Sequence, residues 1–180
     1  MEVIDSLEQT FTHARGVIAE VEPDQHADKT PCEEWTVRDL LAHMIGVVDG
    51  MGAAAGGRPP SRFVLSTDPV GQFDEAARGA LVAWRTPGVL ERVIDAGAGP
   101  MPGSVLASIN LLDTATHTWD LATATGQPTE LPDAVAAAAM EASRAIVSPE
   151  LRPGRFGPEL PAPAGASPTQ RLVTFLGRRG

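Results

Sequence analysis

The sequence predicts an all-α protein, an up-and-down four-helix bundle with an additional C-terminal helix and an irregular tail. Long segments with apolar residues at helical spacing are separated by breaks rich in proline and glycine. Tyrosine is absent and aromatic residues make up only 4% of the chain, which favours closely packed helices over a β-sandwich. The 180 residues can bury a core of their own. We therefore expect a single helical domain over residues 1–180, with the Pro- and Gly-rich stretch 148–180 packing on it as an extension.

Charge and cysteine content narrow the classes of partner and compartment. The formal net charge of -9 argues against nucleic acid or an anionic membrane as a partner. Cys32 is the only cysteine, so an internal disulfide is excluded. The chain opens without a signal-peptide pattern, and no apolar run approaches the length of a membrane span. We expect a cytoplasmic protein.

The first two helices have clear start and stop signals. Apolar residues at helical spacing predict a helix over 3–21, which Pro23 ends. A second helix is predicted over 37–55. Thr36 is its expected N-cap, and Asp39 stands at the position where a capping box has its acidic residue.

The remaining helices follow the same pattern of apolar periodicity between breaks. They are predicted over 70–84, 104–125, 131–147 and 169–176. The stretch 89–94 fits either a helical turn or a short strand. On the fourth helix we expect one packing stripe, formed by Val105, Ile109, Leu112, Thr116, Trp119 and Thr123.

Three residues on two helices form a candidate metal site. Asp113 and His117 are four residues apart on the fourth helix, so their side chains project from the same face. His43 is expected on the apolar face of the second helix, where it is either a hydrogen-bonded core histidine or a ligand. Two imidazoles and a carboxylate form the ligand set of catalytic zinc sites with an open fourth position. That position can hold water or a thiolate.

Other reactive residues have more than one interpretation. Asp120 is a candidate catalytic base or an acceptor for a ligand histidine, and the alternative is a solvent-facing carboxylate. Cys32 precedes the second helix and could be a ligand or a redox thiol, although a small buried residue is the simpler interpretation. His13 and His26 have no convergent partners in the sequence.

Two motifs resemble one protein family. They are Thr30-Pro-Cys32 with Trp35-Thr-Val-Arg-Asp-Leu-Leu-Ala-His43, and Asp113-x-x-x-His117-Thr-Trp-Asp-Leu-Ala-x-Ala-x-Gly126. They resemble the DinB-like superfamily of metalloenzymes, in the actinobacterial branch related to the metal-binding domain of mycothiol-dependent maleylpyruvate isomerase. The segment Arg171-Leu-Val-x-Phe-Leu-Gly-Arg178 is similar to that of short members of this branch.

The resemblance implies a divalent ion held by His43, Asp113 and His117, with zinc as the first candidate and nickel as the second. It also implies mycothiol as cosubstrate. This chain has Asp113 where relatives have Glu or His. From the resemblance we expect it to lack a counterpart of the isomerase's second, C-terminal domain, so maleylpyruvate itself is not the expected substrate.

The function expected from these observations is a metal-dependent thiol S-transferase or isomerase, in which a metal-bound thiolate attacks a small electrophile. The expected partners are a low-molecular-weight thiol and a small-molecule substrate, with a homodimer as a possible assembly. Two alternatives stay open. One is a non-catalytic metal- or ligand-binding bundle, and the other is a metal-assisted hydrolase that uses a bound water.

Overall fold

A computed structural model of the protein describes residues 2–32, 34–59 and 62–179. Within these ranges the α-helices are α1 (Val3–Ala19), α2 (Val37–Ala55), α3 (Pro69–Trp84), α4 (Gly103–Ala124), α5 (Asp133–Ile146) and α6 (Pro168–Phe175). A short 3-10 helix covers Pro23–Ala27, and two short strands, β1 (Val93–Asp95) and β2 (Pro100–Pro102), pair in antiparallel fashion. The predicted all-α class is confirmed. Among these residues no helix combines the length and hydropathy needed to cross a bilayer.

Local sequence signals account for the start of α2, the helix that carries His43. The hydroxyl oxygen of Thr36 accepts a hydrogen bond from the backbone N–H of Asp39 at 3.3 Å. The Asp39 carboxylate in turn accepts one from the backbone N–H of Thr36 at 3.0 Å. The predicted capping box is therefore present. The undecided stretch 89–94 ends in β1.

The connectivity of the bundle differs from simple alternation, because α2 and α3 run side by side in the same direction. A Cβ on Gly52 would lie 2.7 Å from Ala80, and one on Gly56 would lie 3.7 Å from Ala83. The later of the two glycines therefore contacts the later of the two alanines, which makes the two helices parallel. The connection 56–68 permits this arrangement. Extended, it spans roughly 40 Å, more than the roughly 28 Å length of α2.

The other two bundle helices run in the opposite direction. The side-chain amide of Gln127, just beyond α4, donates to the carbonyl oxygen of Val17 near the end of α1, so the C-terminal ends of α1 and α4 meet. Arg85 at the end of α3 pairs with Glu8 near the start of α1, which makes these two helices antiparallel. The order of directions is therefore up, down, down, up.

Helix α4 is buried on several sides because it packs against α1, α2 and α5. The predicted single stripe is therefore wrong at its ends. Val105 and Thr123 are exposed, and Ile109 is only half-buried. Buried positions instead surround the helix, and they include the polar Asn110 and Asp120.

A second apolar cluster joins α4 to the last two helices. It includes Leu112 of α4, Val135 and Ala139 of α5, and Leu172 of α6, with Leu176 immediately after it. Packing of α6 on α5 brings the residues that follow α6 back to the side of α4. This position becomes important at the candidate site.

Candidate metal centre

His43 lies two turns into α2, at the edge of its buried face. The fully buried residues of this helix include Leu40, Leu41, Met44 and Ile45. The His43 side chain is 29% exposed. The prediction that it shares the buried apolar face is therefore wrong. The fully buried residues form the centre of that face, and His43 lies beside them. The imidazole of His43 is consequently accessible to a metal ion from solvent.

Asp113 and His117 project together from α4, as their spacing predicts. The Nε2 atom of His43 is 3.1 Å from Oδ1 of Asp113, and Nε2 of His117 is 3.6 Å from the same oxygen. The two imidazole rings lie with their centroids 4.8 Å apart, at an interplanar angle of 83°. The structure thus brings together the three side chains that were predicted from the sequence.

The spacing and chemistry of these atoms fit a metal ion. Three ligand atoms, one from each residue, lie within 4.8 Å of one another. Atoms bound about 2.1 Å from a tetrahedral zinc are about 3.4 Å apart, so small side-chain movements suffice for coordination. Oδ2 of Asp113 is buried and has no hydrogen-bond partner among the described residues. A cation at this position would give that oxygen a partner.

The second nitrogen of His117 is engaged on the opposite side of the ring. Nδ1 lies 2.9 Å from Oδ2 of Asp120, a carboxylate with no solvent exposure. In this geometry Nδ1–H donates to Asp120, which leaves Nε2 on the side of Asp113 and His43. A carboxylate behind a ligand histidine is the usual arrangement in metal sites, because it fixes the tautomer and the orientation of the ring.

Arg178 completes this arrangement from the segment after α6. Its Nε donates to Oδ1 of Asp120 and its Nη2 donates to Oδ2, both at 2.8 Å. The solvent-facing interpretation of Asp120 is therefore wrong. The segment after α6 thus supplies a residue that the sequence pattern did not assign to the site. A buried carboxylate requires a cation, but the sequence offers 14 lysines and arginines and does not indicate which one is the partner.

The protonation states follow from these contacts. Burial opposes the charged form of His117, but the charge of Asp113 and the hydrogen bonds to Asp120 and Cys32 outweigh it and raise the pKa of His117 to about 10. Burial similarly disfavours the Asp120 carboxylate, yet the hydrogen bonds from His117 and Arg178 lower its pKa to about 2. A carboxyl group with so low a pKa is a weak base, so Asp120 suits orientation of His117 better than proton abstraction.

Cys32 lies on the Asp120 side of His117. Its Sγ donates to Oδ2 of Asp120 at 3.4 Å and is 3.8 Å from Nδ1 of His117. These three residues are a second group close enough to hold an ion. Arg178 already occupies both oxygens of Asp120 and places a positive charge there. We therefore regard the group of His43, Asp113 and His117 as the better metal site.

Trp35 covers the two imidazoles. Its ring centroid is 4.6 Å from that of His43 and 5.8 Å from that of His117. His13 and His26 belong to neither candidate ligand group among the described residues, in keeping with their isolation in the sequence.

Fold and site together define a helical-bundle protein with a candidate metal centre between its second and fourth helices. A family model described as the mycothiol maleylpyruvate isomerase N-terminal domain matches residues 7–70, a stretch that contains His43. Two uncharacterized proteins of Mycobacterium tuberculosis, from strains CDC 1551/Oshkosh and ATCC 25618, are each 37% identical over 166 residues, which is 90% of this chain and 90% of each relative.

Solved structures share the fold. The crystal structure of the mycothiol-dependent maleylpyruvate isomerase has a TM-score of 0.53 at 14% identity, covering 76% of this chain and 66% of that one. A histidine-to-alanine mutant of that isomerase has a TM-score of 0.51 at 13% identity, with the same coverage. The chain belongs to the same family as the two Mycobacterium tuberculosis proteins, and its residues 7–70 match the mycothiol maleylpyruvate isomerase N-terminal domain. It spans 66% of the length of the isomerase structure.

Proposed function

We propose that this protein binds one divalent cation through Nε2 of His43, the Asp113 carboxylate and Nε2 of His117, and uses it to bind a low-molecular-weight thiol for transfer to, or isomerisation of, a small electrophile. Zinc is the first candidate ion and nickel the second, because nitrogen and carboxylate ligands suit both. Mycothiol is the candidate thiol, since the structurally similar isomerase is described as mycothiol-dependent.

The observation that carries this proposal is the convergence of the three side chains around an orphaned carboxylate oxygen, with Asp120 behind His117. When bound, a divalent cation supplies a Lewis acid that keeps a coordinated thiol deprotonated at neutral pH. Three protein ligands leave a fourth position for that sulfur.

The residues around the site have separate tasks in this proposal. Asp120 holds the His117 ring so that Nε2 is available, and Trp35 shields the imidazoles from water on one side. The thiol would approach across the exposed edges of His43 and Asp113. Two open clefts of about 630 and 520 Å³ lie elsewhere, along α1 and along the ends of α2 and α3, and are not the substrate site of this proposal.

Calorimetry with mycothiol tests this function. Protein purified without a histidine tag or added metal is first assayed for metal content, and then divided into metal-loaded and metal-free samples. Mycothiol should bind the loaded sample and not the metal-free one. S-methylated mycothiol, whose sulfur cannot form a thiolate, is the matched control ligand and should bind neither sample.

The other outcomes distinguish the alternative functions. Equal mycothiol affinity with and without metal would contradict a thiol site at the ion. Metal-loaded protein that does not bind mycothiol but hydrolyses ester or amide substrates would support the metal-assisted hydrolase. Tight metal binding with neither property would leave the non-catalytic binding bundle.

Trp35 should report metal binding by fluorescence. The other two tryptophans, Trp84 and Trp119, are buried in the core, whereas the Trp35 ring contacts both imidazoles. Cobalt(II), which quenches nearby indoles, should reduce the emission of the wild-type protein, and Trp35→Phe should remove most of that change while metal stoichiometry is retained. Trp119→Phe is the control. An unchanged quench in Trp35→Phe would place the ion away from His43 and His117.

Metal affinity should increase with pH. The pKa of His117 is about 10 in the metal-free protein, so this ring carries a proton at pH 7 that an ion at Nε2 must displace. The apparent affinity should therefore rise about tenfold per pH unit between about pH 6 and 8. Chelator competition at these pH values measures the slope, and calorimetry in buffers of different protonation enthalpy should detect about one released proton. A pH-independent affinity would exclude His117 as a ligand.

A further inference from the structure

The segment that follows α6 reaches the candidate metal centre through one side chain. Arg178 donates two parallel hydrogen bonds to Asp120, each 2.8 Å long. Asp120 is not exposed at all, and the Arg178 side chain is only 13% exposed. A paired guanidinium and carboxylate in this two-bond geometry fixes the plane of the carboxylate as well as its charge.

The same carboxylate holds the candidate ligand His117. Oδ2 of Asp120 accepts from both Nη2 of Arg178 and Nδ1 of His117. The rotation of the carboxylate that would release one of these bonds would weaken the other. The orientation of the His117 ring therefore depends on the guanidinium, although Arg178 itself is not among the candidate ligands.

The backbone around Arg178 is built to hold this position. Gly177 has φ of 81°, a left-handed conformation suited to glycine, and the N–H of Arg178 donates to the carbonyl of Val173, which closes α6. A side chain on Gly177 would also collide with the backbone of Gly157, since a Cβ there would come within 2.5 Å. Arg152 links the same two chain segments by donating hydrogen bonds to the carbonyl oxygens of Gly157 and Phe175.

We infer that Arg178 is a positioning residue of the metal centre: it holds Asp120 in the orientation that accepts the Nδ1–H of His117, with Nε2 of that ring directed towards Asp113 and His43. This inference rests on the proposed metal-binding function for its consequence, but the orientation of His117 can be measured without metal. It assigns the residues after α6 a task in the site, beyond covering α5.

Two variants separate positioning from general stabilisation. Arg178→Met removes the guanidinium at similar side-chain length. Arg152→Met is the matched control, because it loosens the same segment without a contact to Asp120. For each variant, chelator competition gives zinc affinity, nitrogen-15 NMR of the metal-free protein gives the Nδ1–H signal of His117, and thermal unfolding gives stability.

The expected result is specific to Arg178→Met. Its zinc affinity should fall about 10- to 100-fold, the range for loss of a partner behind a metal ligand, and the Nδ1–H signal of His117 should broaden or shift. Arg152→Met should lower thermal stability but keep both the zinc affinity and the His117 signal. Arg178→Lys retains the positive charge but not the two parallel hydrogen bonds of the guanidinium, so it should give an intermediate loss of zinc affinity. This variant serves as the test if Arg178→Met does not fold.

Several results would overturn the inference. One is wild-type zinc affinity and an unchanged His117 signal in folded Arg178→Met, or in Arg178→Lys if only that variant folds. Another is an equal loss of affinity in Arg152→Met, since the segment would then act only through stability. If the wild-type protein binds no divalent ion, the proposed function fails. The NMR comparison of the metal-free variants would still decide whether Arg178 orients His117.

Discussion

Replacing His43 by alanine should abolish nearly all metal binding by this protein. His43 is one of three converging side chains, and its Nε2 lies 3.1 Å from the Asp113 carboxylate. Loss of residues that merely support a ligand costs 10- to 100-fold in affinity, so loss of a ligand should exceed about 100-fold. The measurement is zinc stoichiometry after dialysis, together with affinity by chelator competition. Because His43 is partly exposed at the edge of the α2 core face, the variant should still fold.

Two other histidines provide the controls. His13→Ala and His26→Ala remove imidazoles that belong to neither candidate ligand group, so both variants should keep the metal content and affinity of the wild type. Full stoichiometry and affinity in His43→Ala would refute the proposed site. So would a loss of similar size in either control variant.

Replacing Asp120 by alanine should be the most destabilising single change at the site. The variant would leave the Arg178 guanidinium and the Nδ1–H group of His117 without an acceptor, in a place where the carboxylate is fully buried. Removal of one partner of a buried ion pair costs about 3–5 kcal/mol. We expect about 3 kcal/mol, the lower end, because the Arg178 side chain is already 13% exposed and can turn towards solvent. For a chain of this size the melting temperature should fall by roughly 6–12 °C.

An exposed ion pair provides the comparison for this prediction. Arg15 and Asp74 form a salt bridge at 3.3 Å, with side chains 49% and 40% exposed. Asp74→Ala should cost no more than about 1 kcal/mol, since water screens the pair. Thermal or urea unfolding of both variants measures the two losses in the free energy of unfolding. Equal small losses would mean that Asp120 is not held as tightly as the geometry indicates.

Much of the candidate site could be predicted from the sequence because helix geometry is regular. The spacing of Asp113 and His117 determines their common face, and a bundle directs residues of neighbouring helices towards one another. The position of His43 at the edge of the buried face was also available in principle. Leu40, Leu41, Met44 and Ile45 define the apolar face of α2, and His43 lies beside it. The assignment of a metal to these residues stays a prediction, as does the single-domain organisation.

Other features depend on tertiary contacts that no local pattern specifies. The partner of Asp120 comes from a segment 58 residues away in sequence, and any of several cations could have filled that place. The connection 56–68 is compatible with either relative direction of α2 and α3, so the up-down-down-up order could not be deduced from its length. Trp35 lies in a loop, where side-chain direction is not set by periodicity, and its stacking on two imidazoles appears only in the folded chain.

The residues of the candidate site are far apart in the sequence, so the site assembles in stages as the chain is synthesised. His43 and Asp113 are 70 residues apart, Cys32 and Asp120 are 88 apart, and Arg178 joins them from beyond α6. A nascent chain therefore presents His43 well before its partners emerge. The candidate ligands are all present once α4 has been synthesised, whereas the ion pair of Arg178 with Asp120 forms only after α6 has docked. If the protein binds an ion as proposed, full affinity is expected only after the last helix has folded.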